Sequence, residues 1–140
     1  MTSVLQLHAA STLAMTGLIW FVQIVHYPLF RFAAGEGFPG FATSHQHRTA
    51  FVVLPLMVTE LATALLLAVA GGAGSKGLAA WGLALLAAIW LSTALVQVPL
   101  HRRLAQGFDG HAAGVLVKSN WLRTAAWSAK SVIALGMLAT

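Results

Sequence analysis

The chain has 140 residues, of which 59% are hydrophobic and only 8% are charged. Typical soluble domains have roughly 25% charged residues, so this sequence lacks the surface that a water-exposed fold needs. It contains no cysteine, which excludes disulfide bonds, thiolate catalysis and cysteine-ligated metals. The net charge of +5 does not indicate nucleic-acid binding, because the basic residues lie at the ends of apolar segments and form no single solvated patch.

Four apolar stretches have about the 20 residues that a transmembrane helix needs. In chain order they run from about Val4 to Val25, from Phe51 to Gly71, from Leu78 to Leu100 and from Asn120 to Leu138. They predict an all-α fold, a four-helix transmembrane bundle that forms a single integral membrane domain over residues 1–140. A bundle this small is expected to form a homo-oligomer in the lipid bilayer.

The connections between these stretches differ in length. Residues 71–77 (GGAGSKG) predict a short turn between two antiparallel neighbouring helices. Residues 27–50 and 101–119 are predicted as longer polar loops. Pro28 and Pro99 are expected to end or kink the helices that precede them.

Basic residues predict the orientation of the bundle. The two long loop regions contain Arg31, Arg48, Arg102, Arg103 and Lys118, whereas the opposite side contains only Lys76. Because cytoplasmic loops of membrane proteins carry an excess of lysine and arginine, the long loops are predicted to be cytoplasmic. Both termini are then expected outside, for a multi-pass protein of the inner (plasma) membrane.

The two halves of the chain match at a constant offset. His26 falls on His101, and Arg48-Thr49-Ala50 falls on Arg123-Thr124-Ala125. Two helices in each half predict a parallel repeat, made of two tandem helical hairpins; the alternative is chance similarity between apolar segments. The repeat places the two histidines at one depth, and the two arginines at another, near the predicted cytoplasmic mouth.

Polar residues at this mouth are the candidate cofactor-binding residues: His26, His101, Gln23, Gln97, Arg48 and Arg123. The histidines and glutamines either join helices by hydrogen bonds or hold a ligand. The arginines are suited to carboxylate or propionate groups. Two inward histidines at one depth could also ligate a haem iron axially.

The pattern His45-x-His47 precedes Arg48 in the first long loop. Imidazole nitrogens are common ligands of divalent transition metals, and the candidate metal ligands are His26, His47 and His101. The alternative is a pair of histidines solvated in a polar loop. The cofactor therefore stays open between haem and a divalent metal.

Glu60 lies in the middle of the second apolar stretch. An ionised carboxylate at this depth is costly unless it is paired or protonated. Lys130 in the fourth stretch is its natural partner in a structural ion pair. The functional alternative makes Glu60 a catalytic or coupling residue that handles a proton or a cation.

Two segments carry a resemblance to known proteins. Residues 20–30 (WFVQIVHYPLF) and 120–124 (NWLRT) resemble small four-helix bacterial membrane proteins of uncharacterised function, in particular the anthrone-oxygenase-like group. The first stretch is also similar, more distantly, to the four-helix haem-binding protoporphyrinogen oxidase of bacteria, in which a Trp-Phe pair precedes a proline by a similar interval. The resemblance implies a membrane bundle and indicates redox chemistry.

Three classes of function follow from these features. The first is a redox protein that binds haem, a metal or a quinone-like ligand near the cytoplasmic mouth. The second is a small oligomeric transporter or channel that uses Glu60 as its coupling group. The third is a non-catalytic membrane subunit that serves a partner through its basic loops. A small hydrophobic or anionic ligand is compatible with the first class.

Overall fold

The structure is a computed structural model that describes residues 1–70, 72 and 76–139. This part of the chain is all-α, with four long helices and no strand. The helices are Thr2–Ala33, Phe38–Ala70, Lys76–Leu104 and Gly110–Leu138. The predicted fold class, an all-α four-helix bundle, is confirmed.

Three of the four helices, the first, second and third, are long and apolar enough to cross a membrane. The fourth helix is less apolar because it contains Lys118, Arg123 and Lys130. Many large apolar side chains of the bundle are exposed, including Phe51 at 84% and Val132 at 72%. An apolar exterior of this kind is typical of a helix bundle in lipid.

The helices pack in a ring in which the first contacts the second and fourth, and the third also contacts the second and fourth. The interior has three apolar layers. One layer surrounds Phe30 and Leu116, the middle layer surrounds Met57 and Trp127, and the last surrounds Leu67. The layer around Phe30 and Leu116 adjoins the candidate cofactor-binding residues at the predicted cytoplasmic mouth.

The two long loops predicted from the sequence are mostly helical, and that prediction was wrong. Within residues 27–50 only 34–37 lie outside helices, and within 101–119 only 105–109 do. The apolar stretch of a helix gives the length that fits in hydrocarbon, but a helix continues beyond it wherever its backbone hydrogen bonds can form. The predicted turn at 71–77 falls largely on residues outside the described part of the chain.

Pro28 and Pro99 do not end their helices. Each follows a five-residue π-helical segment, Val22–His26 in the first helix and Thr93–Gln97 in the third, and each stands near the start of the helical segment that continues the chain. Proline has no N–H and its ring clashes with the carbonyl four residues earlier. A π segment widens the helix and accommodates the ring, and such segments are frequent at functional sites.

Backbone features recur in the two halves, although at a different spacing from the sequence match. The two π segments are followed by Pro28 and Pro99, and the two following loops contain Gly35 and Gly107, with φ angles of 154° and 156°. These pairs are 71 and 72 residues apart, whereas His26 and His101 are 75 apart. The internal repeat therefore stays a prediction. The backbone features of the two halves match at an offset of 71 or 72 residues, whereas the histidines match at an offset of 75.

Candidate functional site

A cluster of imidazole and phenol rings joins the first three helices near the end that carries most of the basic residues. His26 Nε2 lies 2.8 Å from His45 Nδ1, and the ring centroids of His45 and His101 are 5.3 Å apart. Tyr27 Oη lies 3.0 Å from His101 Nε2, and Thr49 Oγ1 lies 3.1 Å from His45 Nδ1. His26 and His101 are thus brought into one cluster, with His45 between them.

A second polar network joins the first and fourth helices beside these rings. Gln23 Nε2 donates to the Val117 carbonyl at 3.2 Å, and Asn120 Nδ2 donates to Gln23 Oε1 at 2.9 Å. Arg123 Nη1 donates to Asn120 Oδ1 at 3.2 Å. Gln23 therefore acts on Arg123 through Asn120 and holds the guanidinium in place.

Gln97 on the third helix is 2% exposed and donates from Nε2 to Ser119 Oγ at 2.9 Å. Its predicted counterpart Gln23 is also 2% exposed. Both glutamines therefore face the interior and bridge to the fourth helix. This outcome agrees with the prediction that they join helices, and only Gln97 also reaches the cavity described next.

A central cavity of about 410 Å³ lies between the helices at this level. Ligand pockets typically measure about 300–1,000 Å³. Most of its lining is apolar, for example Met15, Ile19 and Met57, and its polar lining includes Tyr27, His45, Gln46, Gln97, His101 and Arg123. The exposed members of the lining come from the second and third helices: His47, Leu54, Val98 and Arg102. The cavity therefore opens between these two helices.

Four side chains that line the central cavity each have a buried polar atom without a hydrogen-bond partner. They are Trp90 Nε1, Gln97 Oε1, His101 Nδ1 and Arg123 Nε. Buried polar atoms are nearly always hydrogen-bonded in folded proteins, and each exception needs an explanation. The atoms themselves are fully buried, so these four lining residues have unused hydrogen-bonding capacity beside the cavity and not at its accessible surface.

A separate outer groove of about 470 Å³ lies between the first and second helices. His26 and Arg48 line this groove and not the central cavity. Arg48 is exposed and donates from Nε to Ser44 Oγ at 3.3 Å. The repeat predicted equivalent roles for Arg48 and Arg123, but one is at the surface and the other is 6% exposed. His45 lines both spaces, as do Leu18, Val22, Thr49 and Val53.

The predicted set of metal ligands does not come together. His47 is exposed, whereas His45 is buried, because residues two apart on a helix point in different directions. The prediction of His47 depended on a loop where the chain forms a helix. Among the described residues, no group of three or more His, Cys, Asp or Glu side chains could hold a metal ion.

Axial ligation of one haem by His26 and His101 does not fit the geometry either. The two Nε2 atoms face other partners, His45 and the Tyr27 hydroxyl respectively. The two histidines also line different spaces, the outer groove and the central cavity. A single iron between them would require both hydrogen bonds to break and both side chains to reorient.

Glu60 belongs to a different polar cluster, in the half of the bundle that contains the N-terminus. It is fully buried and pairs with Lys130 at 2.6 Å, which confirms Lys130 as its partner. Lys130 Nζ also donates to the Gly82 carbonyl at 2.9 Å, and Thr12 Oγ1 and His8 Nδ1 lie 3.5 and 3.8 Å from Glu60 Oε1. The space beside Lys130 is only about 10 Å³, too little for a ligand.

Sequence reasoning missed Tyr27, Trp90 and Gln46 of the central cavity, and it considered His45 only as part of the His45-x-His47 pattern in a predicted loop. The signal for His45 was its spacing from Ala42 and Thr49, which places these residues on one face of a helix. The signal disappears when this segment is taken as a loop. Tyr27 and Trp90 carry no comparable signal, because aromatic residues near the ends of membrane helices usually lie at the lipid–water interface.

No family model, no curated protein and no solved structure matches this chain. The likeness to the anthrone-oxygenase-like group therefore stays a prediction. The fold and the site define an all-α four-helix bundle, three of whose helices could cross a membrane, with a mostly apolar cavity between them that also has polar lining residues.

Proposed function

We propose that this chain is a membrane-embedded binding protein for a small, mostly apolar, quinone-like molecule that takes part in oxidation and reduction. The single observation that carries the proposal is a cavity of about 410 Å³ whose lining includes Trp90, Gln97, His101 and Arg123, each of which has a buried polar atom without a hydrogen-bond partner. Leaving a buried donor or acceptor without a partner costs about 1–3 kcal/mol, so a ligand that pairs with several of them gains affinity.

The hydrogen-bonding types of these atoms suit both the carbonyl oxygen of a quinone and the hydroxyl group of a quinol. The N–H groups of Trp90 and Arg123 donate to a carbonyl oxygen, as a quinone presents, whereas Gln97 Oε1 accepts from a hydroxyl group, as a quinol presents. The His101 ring can donate or accept at Nδ1, according to its tautomer. The apolar walls suit a ring system. These features support a quinone-like ligand over a metal ion, which needs several converging ligands.

Access to the cavity supports a ligand that arrives from the lipid. Leu54 is 50% exposed and Val98 is 37% exposed, and both line the cavity where it opens between the second and third helices. A lipid-soluble molecule could therefore enter sideways. A water-soluble ligand would instead meet His47 and Arg102, which form the polar part of the same rim.

We place the protein in the plasma membrane with both termini outside and the ends that carry Arg31, Arg48, Arg102, Arg103 and Lys118 in the cytoplasm. The support for this orientation is the distribution of basic residues along the chain. It puts the central cavity near the cytoplasmic ends of the helices. We also propose that the protein assembles into a homo-oligomer in this membrane.

The test is binding of 2-methyl-1,4-naphthoquinone to the protein in lipid nanodiscs, measured by equilibrium dialysis against empty nanodiscs. Wild-type protein should bind it saturably. Ala50→Phe fills the cavity, since Ala50 lines it, and should weaken binding by about tenfold or more. The matched control is Ala62→Phe, at an exposed position of the same helix, which should bind like the wild type.

Two outcomes would contradict the proposal: no saturable binding by the wild type, or equal binding by Ala50→Phe. An absorption spectrum and a metal analysis of the purified protein test the other cofactors directly. A Soret band would replace the quinone-like ligand with haem, and a stoichiometric metal would replace it with a metal centre.

A further inference from the structure

Arg123 is a buried cation that lacks an anionic partner. It is 6% exposed, and it is one of the residues that line the central cavity. Its side chain donates from Nη1 to Asn120 Oδ1 at 3.2 Å. The amide is neutral, so it satisfies an N–H group without balancing the charge. Arginine remains protonated in proteins, which makes this a permanent positive charge.

None of the acidic residues of the chain balances the charge of Arg123. The sequence has three of them, Glu36, Glu60 and Asp109. Glu60 pairs with Lys130, and Asp109 pairs with Arg103. Glu36 is exposed in the loop between the first and second helices. No acidic side chain of the chain is therefore in position to pair with Arg123.

The charged residues of the cavity wall also indicate that a negative charge is missing. Its lining includes Arg123 inside and Arg102 at the rim, and it includes no aspartate or glutamate. A charge removed from water is strongly disfavoured unless a counter-charge lies close to it. The basic rim would also attract anions towards the opening. A ligand can supply the missing negative charge.

We infer that the central cavity binds its ligand as an anion, a flat apolar body that bears one ionised oxygen group placed against the Arg123 guanidinium. This inference rests on the proposed function and specifies the substrate class of the same site. The ionised oxygen accepts from the guanidinium of Arg123, a residue of the cavity lining. The Gln23–Asn120 network positions the guanidinium for this contact.

The test compares two quinones of nearly equal size in the nanodisc dialysis measurement: 2-hydroxy-1,4-naphthoquinone, which is ionised at neutral pH, and neutral 2-methyl-1,4-naphthoquinone. The wild type should bind the anion at least about tenfold more tightly. Arg123→Gln should abolish this preference. Lys118→Gln removes an exposed positive charge from the same helix and should keep it, which separates the effect of Arg123 from that of total charge.

Asn120→Asp provides a second variant that does not remove the arginine. The new carboxylate has the shape of the amide and lies where Oδ1 now accepts from Arg123 Nη1. It should neutralise the guanidinium and lower the ratio of anion affinity to neutral-quinone affinity about tenfold, and this ratio is the readout because the variant also removes the donor to Gln23 Oε1. This variant keeps the test decisive if Arg123→Gln does not fold, as checked by circular dichroism.

The outcomes separate the inference from the proposed function. If neither quinone binds, the proposed function fails, and this inference fails with it. If both bind equally to the wild type, the cavity is a quinone site but the inference is overturned. An anion preference that survives in both Arg123→Gln and Asn120→Asp would also overturn it, because the charge that selects the anion would then lie elsewhere.

Discussion

At the scale of single residues, the bundle has two buried cations with opposite situations. Lys130 is 2% exposed and has a carboxylate at 2.6 Å, whereas Arg123 is 6% exposed and has only neutral partners. The sequence predicted the first situation, because one glutamate and one lysine lie inside apolar stretches. It did not predict the second, since the partners of Arg123 depend on which residues the helices bring to one level.

We predict that Glu60→Gln destabilises the bundle by about 3–5 kcal/mol, because it leaves Lys130 buried without a counter-charge. The double variant Glu60→Gln with Lys130→Met should recover most of this loss. The measurement is thermal or chemical unfolding of the purified variants.

A transporter that uses Glu60 predicts a different result for the same variants. In that case both would lose pH-dependent flux in liposomes, whatever their stability. Flux that is present in the wild type and absent in a stable double variant would contradict a purely structural role for the pair.

The environment of Asp109 predicts how the stability of the fold depends on pH. It precedes the fourth helix, and its side chain accepts from the Ala112 N–H at 2.9 Å and pairs with Arg103. The hydrogen bond from Ala112, together with the Arg103 charge, lowers the pKa of the Asp109 carboxyl. A group whose pKa is lowered on folding stabilises the fold above its unfolded pKa, and this stabilisation is lost as the pH falls through the folded value.

The melting temperature of the wild type should therefore fall when the pH is lowered through the acidic range. Asp109→Asn keeps a hydrogen-bond acceptor at the helix N-terminus but cannot titrate, so its melting temperature should fall less over the same range. Equal pH dependence of the two proteins would mean that Asp109 does not contribute to it.

At the scale of helices, hydrophobicity identified the four elements but not where they end. The first helix continues to Ala33 and the second begins at Phe38, well outside the apolar stretches. The length of an apolar stretch reflects the thickness of the hydrocarbon layer, whereas the ends of a helix depend on local features such as Gly35 and Asp109. The same error placed His45 in a loop, so one wrong boundary removed a central residue from the predicted site.

Gly107 tests one of these boundaries. Its φ angle of 156° lies in a region that residues with a side chain rarely adopt, although no atom would lie within 4 Å of an added Cβ. Gly107→Ala should therefore destabilise the protein by about 1–3 kcal/mol through backbone strain alone. The unfolding midpoint of the variant measures this effect.

Gly114→Ala is the matched control, because Gly114 also has open space around it but lies inside the fourth helix. Alanine is the better helix former by about 1 kcal/mol, so this variant should be neutral or stabilised. A loss at Gly114 as large as that at Gly107 would show that the strain argument is wrong.

At the scale of the whole molecule, the sequence predicted an all-α membrane bundle because its composition leaves few alternatives. The cavity could not be predicted in the same way. It depends on how far the side chains of four helices fill the space between them, and on the two π segments at Val22–His26 and Thr93–Gln97. Both segments contribute residues to its wall, Val22 from the first and Thr93 and Gln97 from the second.

Orientation can be tested cleanly because the chain has no native cysteine. We predict that Ser3→Cys, near the N-terminus, reacts with an impermeant maleimide on intact cells. Gln106→Cys, exposed in the loop after the third helix, should react only after the cells are permeabilised. The reverse pattern would invert the orientation, and labelling of both positions on intact cells would exclude a common direction for all molecules.

The position of His45 has one more consequence for the shape of the interior. Its imidazole lies between the outer groove and the central cavity, together with the side chains of Leu18, Val22, Thr49 and Val53. Replacing it with glycine would remove the largest polar side chain between the two spaces and widen the passage from one to the other. Such a variant should accept molecules with a long tail that the native compartments are too short to hold.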